Sequence, residues 1–331
     1  MGFLRLALAV AVVLSHLSVR FFTFNPGVVA VVSFLMISGY VMTLLIDRHY
    51  ADLGRVRVFY IDRAYRLFPQ FLLYASAMVL LVRLGVRPPN FMSACTPAKL
   101  AANVAMLPLG YTTQLGLDGC QFMPQAWSLG LEFSFYLVAP WLLLAMGRSA
   151  LRAVMVGSAI VFVLAVFGVL NTDQWGYRLL PGTLFIFMTG VALTDEERIG
   201  KAAPYLVFAL ACALFAATRL WRPLYALHYN KEVLAGLIVG IPVLALIKQR
   251  RFSAADEFLG NLSYGVFLNH NLVFWLIERY TGRPELNPPL AALGIAVSVG
   301  LAAATHWLVE RPVLHLRRRI RYRAEPLALT A

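Results

Sequence analysis

Apolar residues fall into long runs along this chain, and short connections rich in charged residues, proline or glycine separate these runs. A helix needs about 20 mainly apolar residues to cross the hydrocarbon core of a bilayer. The pattern therefore predicts an all-α, polytopic integral membrane bundle of about ten transmembrane helices. The predicted helices cover residues 3–20, 27–46, 60–82, 128–147, 151–170, 179–194, 203–219, 233–247, 258–279 and 290–310.

The segment 98–117 is the ambiguous part of this topology. It is moderately apolar, but Pro97, Pro108 and Gly110 interrupt it, so we expect it to be re-entrant or extramembrane. If it crossed the membrane, every later helix would be inverted. With ten helices and a cytoplasmic N-terminus, about two thirds of the 29 basic residues lie on the cytoplasmic side. This bias favours ten helices with both termini in the cytoplasm.

The composition agrees with a membrane location. Hydrophobic residues make up 60% of the chain and charged residues 14%, whereas soluble domains have roughly 45–50% and 25%. The net charge of +13 would suggest nucleic acid in a soluble protein, but the basic residues lie mostly between the predicted helices. We expect membrane lipids and no nucleic acid as partners. A single transmembrane domain is expected over residues 1–315, and a basic, solvated cytoplasmic tail that contacts anionic headgroups over 316–331.

The three cysteines, Cys95, Cys120 and Cys212, form no CxxC pair, so we expect neither a metal site nor a redox site. Cys95 and Cys120 share one hydrophilic connection that the topology places outside the cytoplasm, where a disulfide can persist. Spacing alone does not fix the geometry of a disulfide, so their pairing stays open.

Ionisable residues inside membrane helices are costly and usually face the bundle interior to serve a site. Arg5 and His16 lie eleven residues apart on the first helix, close to three turns and near one face. Arg63 and Arg66 project from one face of the third helix, and paired guanidiniums suit phosphate. The structural alternatives are orientation charges for the arginines and a hydrogen bond to a neighbouring helix for His16.

Two further groups interrupt apolar runs. Glu132 lies one turn inside the fourth helix, where a carboxylate needs a partner or a proton, and a structural ion pair is the alternative explanation. Asn269 and His270 belong to a polar cluster in the ninth helix, while His306 and Glu310 share a helix face at i,i+4 spacing and can pair. The chain has no HExxH, GxSxG, P-loop or GxGxxG arrangement.

Taken in order, these residues resemble the motifs of the acyltransferase-3 family of bacterial membrane proteins. The resemblance runs from end to end of the chain. The matching pieces are Arg5 with ten residues before His16, Phe34 to Tyr40 with Ser38 and Gly39, Arg63-x-x-Arg66 with Pro69, Trp127-Ser128-Leu129-x-x-Glu132-x-x-Phe135-Tyr136, Ser263-Tyr264 with Leu268-x-His270, and Glu310-Arg311-Pro312.

The resemblance implies an enzyme of the bacterial cytoplasmic membrane that moves an acyl group from a cytoplasmic thioester, typically acetyl-coenzyme A, onto a hydroxyl. The acceptor would be an envelope saccharide, a glycolipid or a secreted metabolite. His16 matches the catalytic histidine, and Arg63 and Arg66 match the residues that hold the donor, with Arg5 at a further family arginine. Many members carry a second carboxylate or amide just after the position of Glu132, whereas this chain has Phe133 and Ser134.

Chemistry suggests roles for the remaining residues. A neutral His16 can act as general base on the acceptor hydroxyl, and Glu132 can orient and polarise that imidazole. Ser38, which matches the family's serine-glycine position, and Asn269 are expected to contact the substrate, and His270 is expected to be a structural or substrate-orienting group and not a second base. The alternative function is a secondary transporter or flippase in which buried histidine and glutamate relay protons. The sequence leaves open the acceptor, the acyl length, the oligomeric state, and the choice between direct transfer and an acyl-histidine.

Overall fold

The computed structural model describes residues 1–85, 93–248, 253–282 and 287–323, with side chains up to residue 317. The regular elements in this part of the chain are all helices, and it forms no extended strand. The helices are α1 (Gly2–His16), α2 (Pro26–His49), α3 (Val56–Arg83), α4 (Pro97–Val104), α5 (Trp127–Ala145), α6 (Arg148–Val166), α7 (Leu180–Thr194), α8 (Glu196–Ile199), α9 (Ala203–Leu220), α10 (Arg222–Ala226), α11 (Asn230–Ile247), α12 (Ala254–Thr281), α13 (Pro288–Thr305) and α14 (Arg311–Arg323).

Polar caps fix where several of these helices begin. Asn25 directly precedes α2, and its side chain accepts a hydrogen bond from the Gly27 amide in the first turn of that helix, at 2.9 Å. Ser253 and Asn287 cap α12 and α13 in the same way. Because the first amides of a helix have no partner within it, such caps hold each helix start in place.

The prediction of an all-α polytopic bundle is confirmed. All ten predicted helices are present, and within the described residues eight segments are long and apolar enough to cross a membrane. These segments are Pro26–His49, Leu53–Arg83, Pro124–Ala145, Arg148–Val166, Gln174–Thr194, Ala203–Leu220, Asn230–Ile247 and Pro288–Arg317. The other two predicted helices are α1, which is apolar but has 15 residues, and α12, which has 28 residues and a polar centre.

The segment 98–117 contains no helix of spanning length. It consists of α4 and a short turn at Leu107–Tyr111 that packs along α5. At this contact the two backbones touch, because a Cβ added to Gly130 would lie 2.1 Å from the Gly110 nitrogen. The Tyr111 hydroxyl donates to the Ser134 Oγ at 3.1 Å. The segment therefore folds back onto the bundle, in agreement with the ten-helix topology.

Cys95 and Cys120 form a disulfide, which settles the pairing that spacing had left open. The Asn103 side chain reinforces this connection by donating to the Cys120 carbonyl at 2.8 Å and accepting from the Phe122 amide at 3.0 Å. The connections that follow α1, α3, α6 and α9 contribute residues to one cavity and so lie at one end of the bundle. We call this the disulfide end.

Helix α2 lies at the centre of the bundle, between α1, α7 and α11. Its backbone touches that of α7, since a Cβ on Gly39 would lie 1.9 Å from the Phe187 carbonyl oxygen and one on Gly190 would lie 2.0 Å from that of Met36. Small residues allow membrane helices to approach this closely. This contact fixes the rotation of α2 about its own axis, so that Ser38 faces α5 and reaches Glu132.

Candidate active site

Two cavities in the bundle carry the polar residues that the sequence singled out. The smaller one, of about 130 Å³, is lined by Arg5, Arg63 and Arg66, together with Ser38 and Glu132. We call it the arginine cavity. The larger one, of about 440 Å³, opens at the disulfide end and has His16 in its wall. We call it the wide cavity. Three residues, Val31, Ser128 and Phe267, line both cavities.

Two of the three guanidiniums in the arginine cavity already have carboxylate partners. Arg63 pairs with its neighbour Asp62, and Arg66 pairs with Glu310. The Arg66 guanidinium also lies 5.7 Å from the centre of the Tyr264 ring. Within the described residues, the half-buried Arg5 guanidinium forms no ion pair or hydrogen bond. Arg5 is therefore the guanidinium of this cavity whose charge no carboxylate offsets.

Asp62 is a partner that the sequence analysis missed. Its side chain is fully buried and accepts from Arg317 at 3.1 and 3.2 Å as well as from Arg63. Arg317 was expected to be solvated in a tail over 316–331, and for this residue the expectation is wrong, because its side chain is buried against α3. The sequence does show an acidic residue, Asp62, directly beside Arg63. The other partner of Asp62, Arg317, lies 255 positions away, so no local pattern pointed to it.

Glu310 joins the predicted helical pair to α3. Its Oε2 lies 2.8 Å from the His306 Nδ1, which confirms the i,i+4 pairing, and 3.5 Å from the Gln70 Nε2. One π-helical turn, His306–Glu310, links α13 to α14 at this point. Arg66 and His306 thus share one buried carboxylate at the edge of the arginine cavity.

Glu132 is satisfied by hydroxyl groups. Its Oε1 accepts from the Ser38 Oγ at 2.8 Å and from the Tyr136 hydroxyl at 2.5 Å. A carboxylate–imidazole contact with His16 is not formed, because Glu132 faces α2 across the arginine cavity whereas His16 lines the wide cavity. The sequence had left open whether Glu132 and His16 meet, and in the structure Glu132 bonds to Ser38 and Tyr136 instead. The structural alternative, an ion pair between Glu132 and a histidine or arginine, is also not formed.

His16 lies at the last turn of α1 and packs edge to face on His270, with 5.0 Å between the ring centres. His270 is fully buried in α12, and its Nδ1 lies 3.2 Å from the Val266 carbonyl oxygen, to which it can donate. Its Nε2 has no hydrogen-bond partner among the described residues. His270 lines neither cavity, so the structure places it behind His16 instead of at a substrate surface.

Asn269 lines neither the arginine cavity nor the wide cavity, and its predicted role in substrate binding stays a prediction. Its Nδ2 donates to the Ser298 carbonyl at 2.9 Å and to the Tyr74 hydroxyl at 3.3 Å. These bonds connect α12 to α13 and α3. A buried amide held on two sides in this way stabilises helix packing.

The wide cavity contains a wall of aromatic and charged residues that the sequence analysis did not assemble. Arg178 pairs with Asp173 at 2.7 Å and lies 4.5 Å from the centre of the Trp127 ring. The Tyr177 ring lies 4.8 Å from that of Trp127 and 5.1 Å from that of Tyr229. Trp127 belonged to a recognised motif, but the other four residues gave no signal, because Asp173, Tyr177 and Arg178 lie in the connection before α7 and Tyr229 lies before α11, far from Trp127 in the sequence.

A polar clamp holds the base of the wide cavity. The Gln125 side chain donates to the Leu268 carbonyl at 2.9 Å and accepts from the Asn271 Nδ2 at 2.6 Å. This ties the loop before α5 to the part of α12 that carries His270. In the described residues, no group of three or more His, Cys, Asp and Glu side chains is arranged to hold a metal ion.

Comparison with known proteins identifies the family of this chain. A protein with the description "Uncharacterized protein" from Aquifex aeolicus (strain VF5) is 32% identical over 202 residues, which cover 59% of this chain and 89% of that protein. No solved structure matches the chain significantly. Residues 1–307 match a family model described as an acyltransferase domain. Since this match spans nearly the whole chain, the protein belongs to the acyltransferase-3 family and is a polytopic membrane acyltransferase.

Proposed function

We propose that this enzyme moves an acyl group, most simply acetyl, from acyl-coenzyme A to a hydroxyl of an envelope saccharide, a glycolipid or a secreted metabolite, with His16 as general base. The observation that carries the proposal is the pair of adjoining cavities. One cavity is lined by three guanidiniums and the other by an imidazole, and they share three lining residues. An anionic donor and a hydroxyl acceptor can therefore approach each other from opposite sides.

The donor fits the arginine cavity only in part. About 130 Å³ is well below the roughly 300–1,000 Å³ of sites that enclose a drug-sized ligand. The nucleotide and its phosphates would stay at the mouth of the cavity, while the narrow pantetheine arm passes inward. Arg5 is the natural first phosphate contact, because carboxylates already offset Arg63 and Arg66. Arg63 and Arg66 would bind phosphate either while they keep their carboxylate partners or after they release them.

The chemistry requires one base and one leaving group. The acceptor hydroxyl gives its proton to neutral His16 as its oxygen bonds to the thioester carbonyl carbon. The C–S bond then breaks, and the coenzyme A thiolate takes up the proton, so the products are an ester and free coenzyme A. In the variant pathway a neutral imidazole nitrogen of His16 attacks the thioester carbonyl carbon, the C–S bond breaks and the coenzyme A thiolate leaves. The acceptor hydroxyl then attacks the acyl-imidazole, the C–N bond breaks to free His16, and the proton of the hydroxyl passes to the thiolate. Rapid-quench detection of an acylated protein would distinguish the two.

The acceptor would occupy the wide cavity. Its wall offers aromatic faces from Trp127 and Tyr177, and hydrogen-bonding groups from Asp173, Arg178 and Gln125. Aromatic rings pack on the apolar faces of ligands while charged and amide groups fix orientation. Such a lining suits a hydroxyl-rich acceptor better than an apolar one. The family match also favours this enzyme activity over the transporter or flippase considered as the alternative.

The test is transfer from radiolabelled acetyl-coenzyme A in membrane vesicles that contain the enzyme and its native lipids and glycans. We expect His16→Ala to lower both label transfer and thiol release by about 10²–10⁴-fold, the usual contribution of a general base. His315→Ala provides a matched control, since His315 is an exposed histidine of α14. Thiol release at the normal rate in His16→Ala would show that the proposed base is wrong.

A further inference from the structure

A second cluster of basic side chains lies at the disulfide end, outside both cavities. The Lys231 Nζ lies 4.6 Å from the centre of the Tyr225 ring, and the Arg219 guanidinium carbon lies 5.1 Å from it. Lys231 also lies 5.8 Å from the centre of the Phe24 ring. The hydroxyls of Tyr225 and Thr23 share a hydrogen bond of 3.1 Å. We call these five residues the tyrosine cluster.

The two cations of the tyrosine cluster have aromatic neighbours but no carboxylate partner within the part of the chain that the structure describes. Three chain segments assemble the cluster, since Thr23 and Phe24 precede α2, Arg219 ends α9 and Lys231 begins α11. The hydrogen bond with Thr23 is the main cause that lowers the pKa of the Tyr225 hydroxyl, and the charges of Lys231 and Arg219 add to it, while burial opposes it. Tertiary structure thus concentrates positive charge around one hydroxyl pair.

The general rules of membrane proteins do not account for these charges. Lys and Arg are depleted from the non-cytoplasmic side of a membrane protein, where we expect the disulfide end to lie. Lys231 also stands in the first turn of α11, a position where the helix dipole disfavours a cation. Lys231 is present although both the membrane side and the helix dipole disfavour a cation there. This suggests that the cation binds a ligand of opposite charge.

The surroundings of the cluster are apolar and exposed. Phe22 is 99% exposed, Leu220 89% and Trp221 58%. These side chains flank the cluster along the chain, on the same connections. An amphiphilic ligand would satisfy both features, with an anionic group at the cations and hydrocarbon against the exposed side chains.

We infer that the tyrosine cluster binds the phosphate headgroup of an anionic membrane lipid. Arg219 and Lys231 provide the charge, and the hydroxyls of Tyr225 and Thr23 provide donors for the phosphate oxygens. The site adjoins the wide cavity, because Asn25 and Tyr229, which line that cavity, lie next to Phe24 and two residues before Lys231. A lipid bound here would sit at the rim of the wide cavity without entering it.

The experiment measures lipid binding directly and does not depend on the acyl-transfer reaction. Full-length protein in phosphatidylcholine nanodiscs is titrated with phosphatidylglycerol, and the bound lipid is counted by native mass spectrometry. We expect the double variant Arg219→Gln/Lys231→Gln to bind phosphatidylglycerol roughly thirtyfold more weakly, because two surface cations are lost. The control is Arg83→Gln/Arg279→Gln, which removes two exposed charges from the same end of the bundle.

Three outcomes decide the inference. Selective loss of binding in the first double variant supports it. Unchanged binding, or an equal loss in the control, overturns it and assigns the effect to general surface charge. A third arm adds inorganic phosphate at millimolar concentration, which we expect to leave the lipid bound. Displacement of the lipid by phosphate alone would show a free-anion site and overturn the assignment to a lipid.

Discussion

Buried carboxylates in this protein depend strongly on their partners. Asp62 is fully buried between Arg63 and Arg317, whereas Asp47 pairs with Arg198 at 3.0 Å while remaining 39% exposed. Removing one partner from a buried pair leaves an uncompensated charge in a medium of low dielectric constant. An exposed pair loses little, because water replaces the missing group.

We therefore expect Asp62→Asn to lower the free energy of unfolding by about 3–5 kcal/mol. The matched substitution Asp47→Asn is expected to cost less than about 1 kcal/mol. Thermal unfolding in detergent, followed by tryptophan fluorescence, compares the two variants. Equal destabilisation would contradict the buried ionic contact between α3 and α14.

The two buried tyrosines Tyr136 and Tyr264 provide a second comparison, because they donate to acceptors of different charge. Tyr136 donates to the Glu132 carboxylate and Tyr264 to the Leu67 carbonyl at 2.9 Å. Hydrogen bonds to charged groups contribute about 1.5–3 kcal/mol, against about 0.5–1.5 kcal/mol for neutral ones. Tyr136→Phe should lower the unfolding free energy about twofold more than Tyr264→Phe in detergent melts. The reverse order would contradict the hydrogen bond from Tyr136 to the Glu132 side chain.

At the level of whole helices, backbone contact between α2 and α7 determines how the site is assembled. Gly190 has the Met36 carbonyl against it, whereas Gly157 on α6 has open space where a Cβ would be. Alanine is a better helix former than glycine by about 1 kcal/mol, so the two substitutions should act in opposite directions.

Gly190→Ala is expected to lower the unfolding free energy by about 1–3 kcal/mol, because the helices must separate to admit the methyl group. Gly157→Ala should leave it unchanged or raise it by up to about 1 kcal/mol. The midpoints of detergent melts measure both. Stabilisation by Gly190→Ala would refute the close approach of α2 and α7.

Helices, and contacts within one helix, were predictable from the sequence. The ten apolar runs became helices, and His306 and Glu310 paired as their i,i+4 spacing indicated. Helix ends were less accurate, since α3 begins at Val56 and α12 extends over 28 residues, beyond the apolar cores of their sequences. These helices continue for one or more turns beyond the apolar run. Charged residues in the added turns, such as Arg57, made these turns look like connections between helices.

Contacts between helices were not predictable. Ser38 meets Glu132 across 94 positions and Asp62 meets Arg317 across 255. Which residues meet depends on the rotation of each helix about its axis, and close glycine contacts set that rotation. This is why the sequence found the members of the arginine cavity but could not show that Glu132 meets Ser38 or that Asn269 bonds to α3 and α13.

For the molecule as a whole, the disulfide closes a loop within the long connection between α3 and α5, next to Asp118 and Gln121 in the wall of the wide cavity. Cross-linking a loop of this length stabilises the folded chain by about 3–4 kcal/mol through the unfolded state. Cys95→Ser should lower the unfolding free energy by that amount, while Cys212→Ser, which alters a free cysteine on α9, should have little effect. Detergent melts with and without reductant provide the measurement.

The same disulfide checks the orientation of the bundle. In spheroplasts, a membrane-impermeant alkylating reagent should label Cys95 and Cys120 after mild reduction, because this end is expected to face the oxidising side. Cys212 lies within a helix and serves as the unlabelled reference. Labelling that requires permeabilised cells would contradict the predicted cytoplasmic termini.

The meeting point of the two cavities has a consequence for the cell that holds this protein. Val31, Ser128 and Phe267 are the side chains that both linings share, so the two cavities meet at these three residues. If the proposed transfer takes place between these cavities, the acyl group must pass the three shared side chains while protons and ions are kept back. The large side chain of Phe267 would then shape the passage for the acyl group. It would also limit the leakage of protons and ions and so help to maintain the membrane potential.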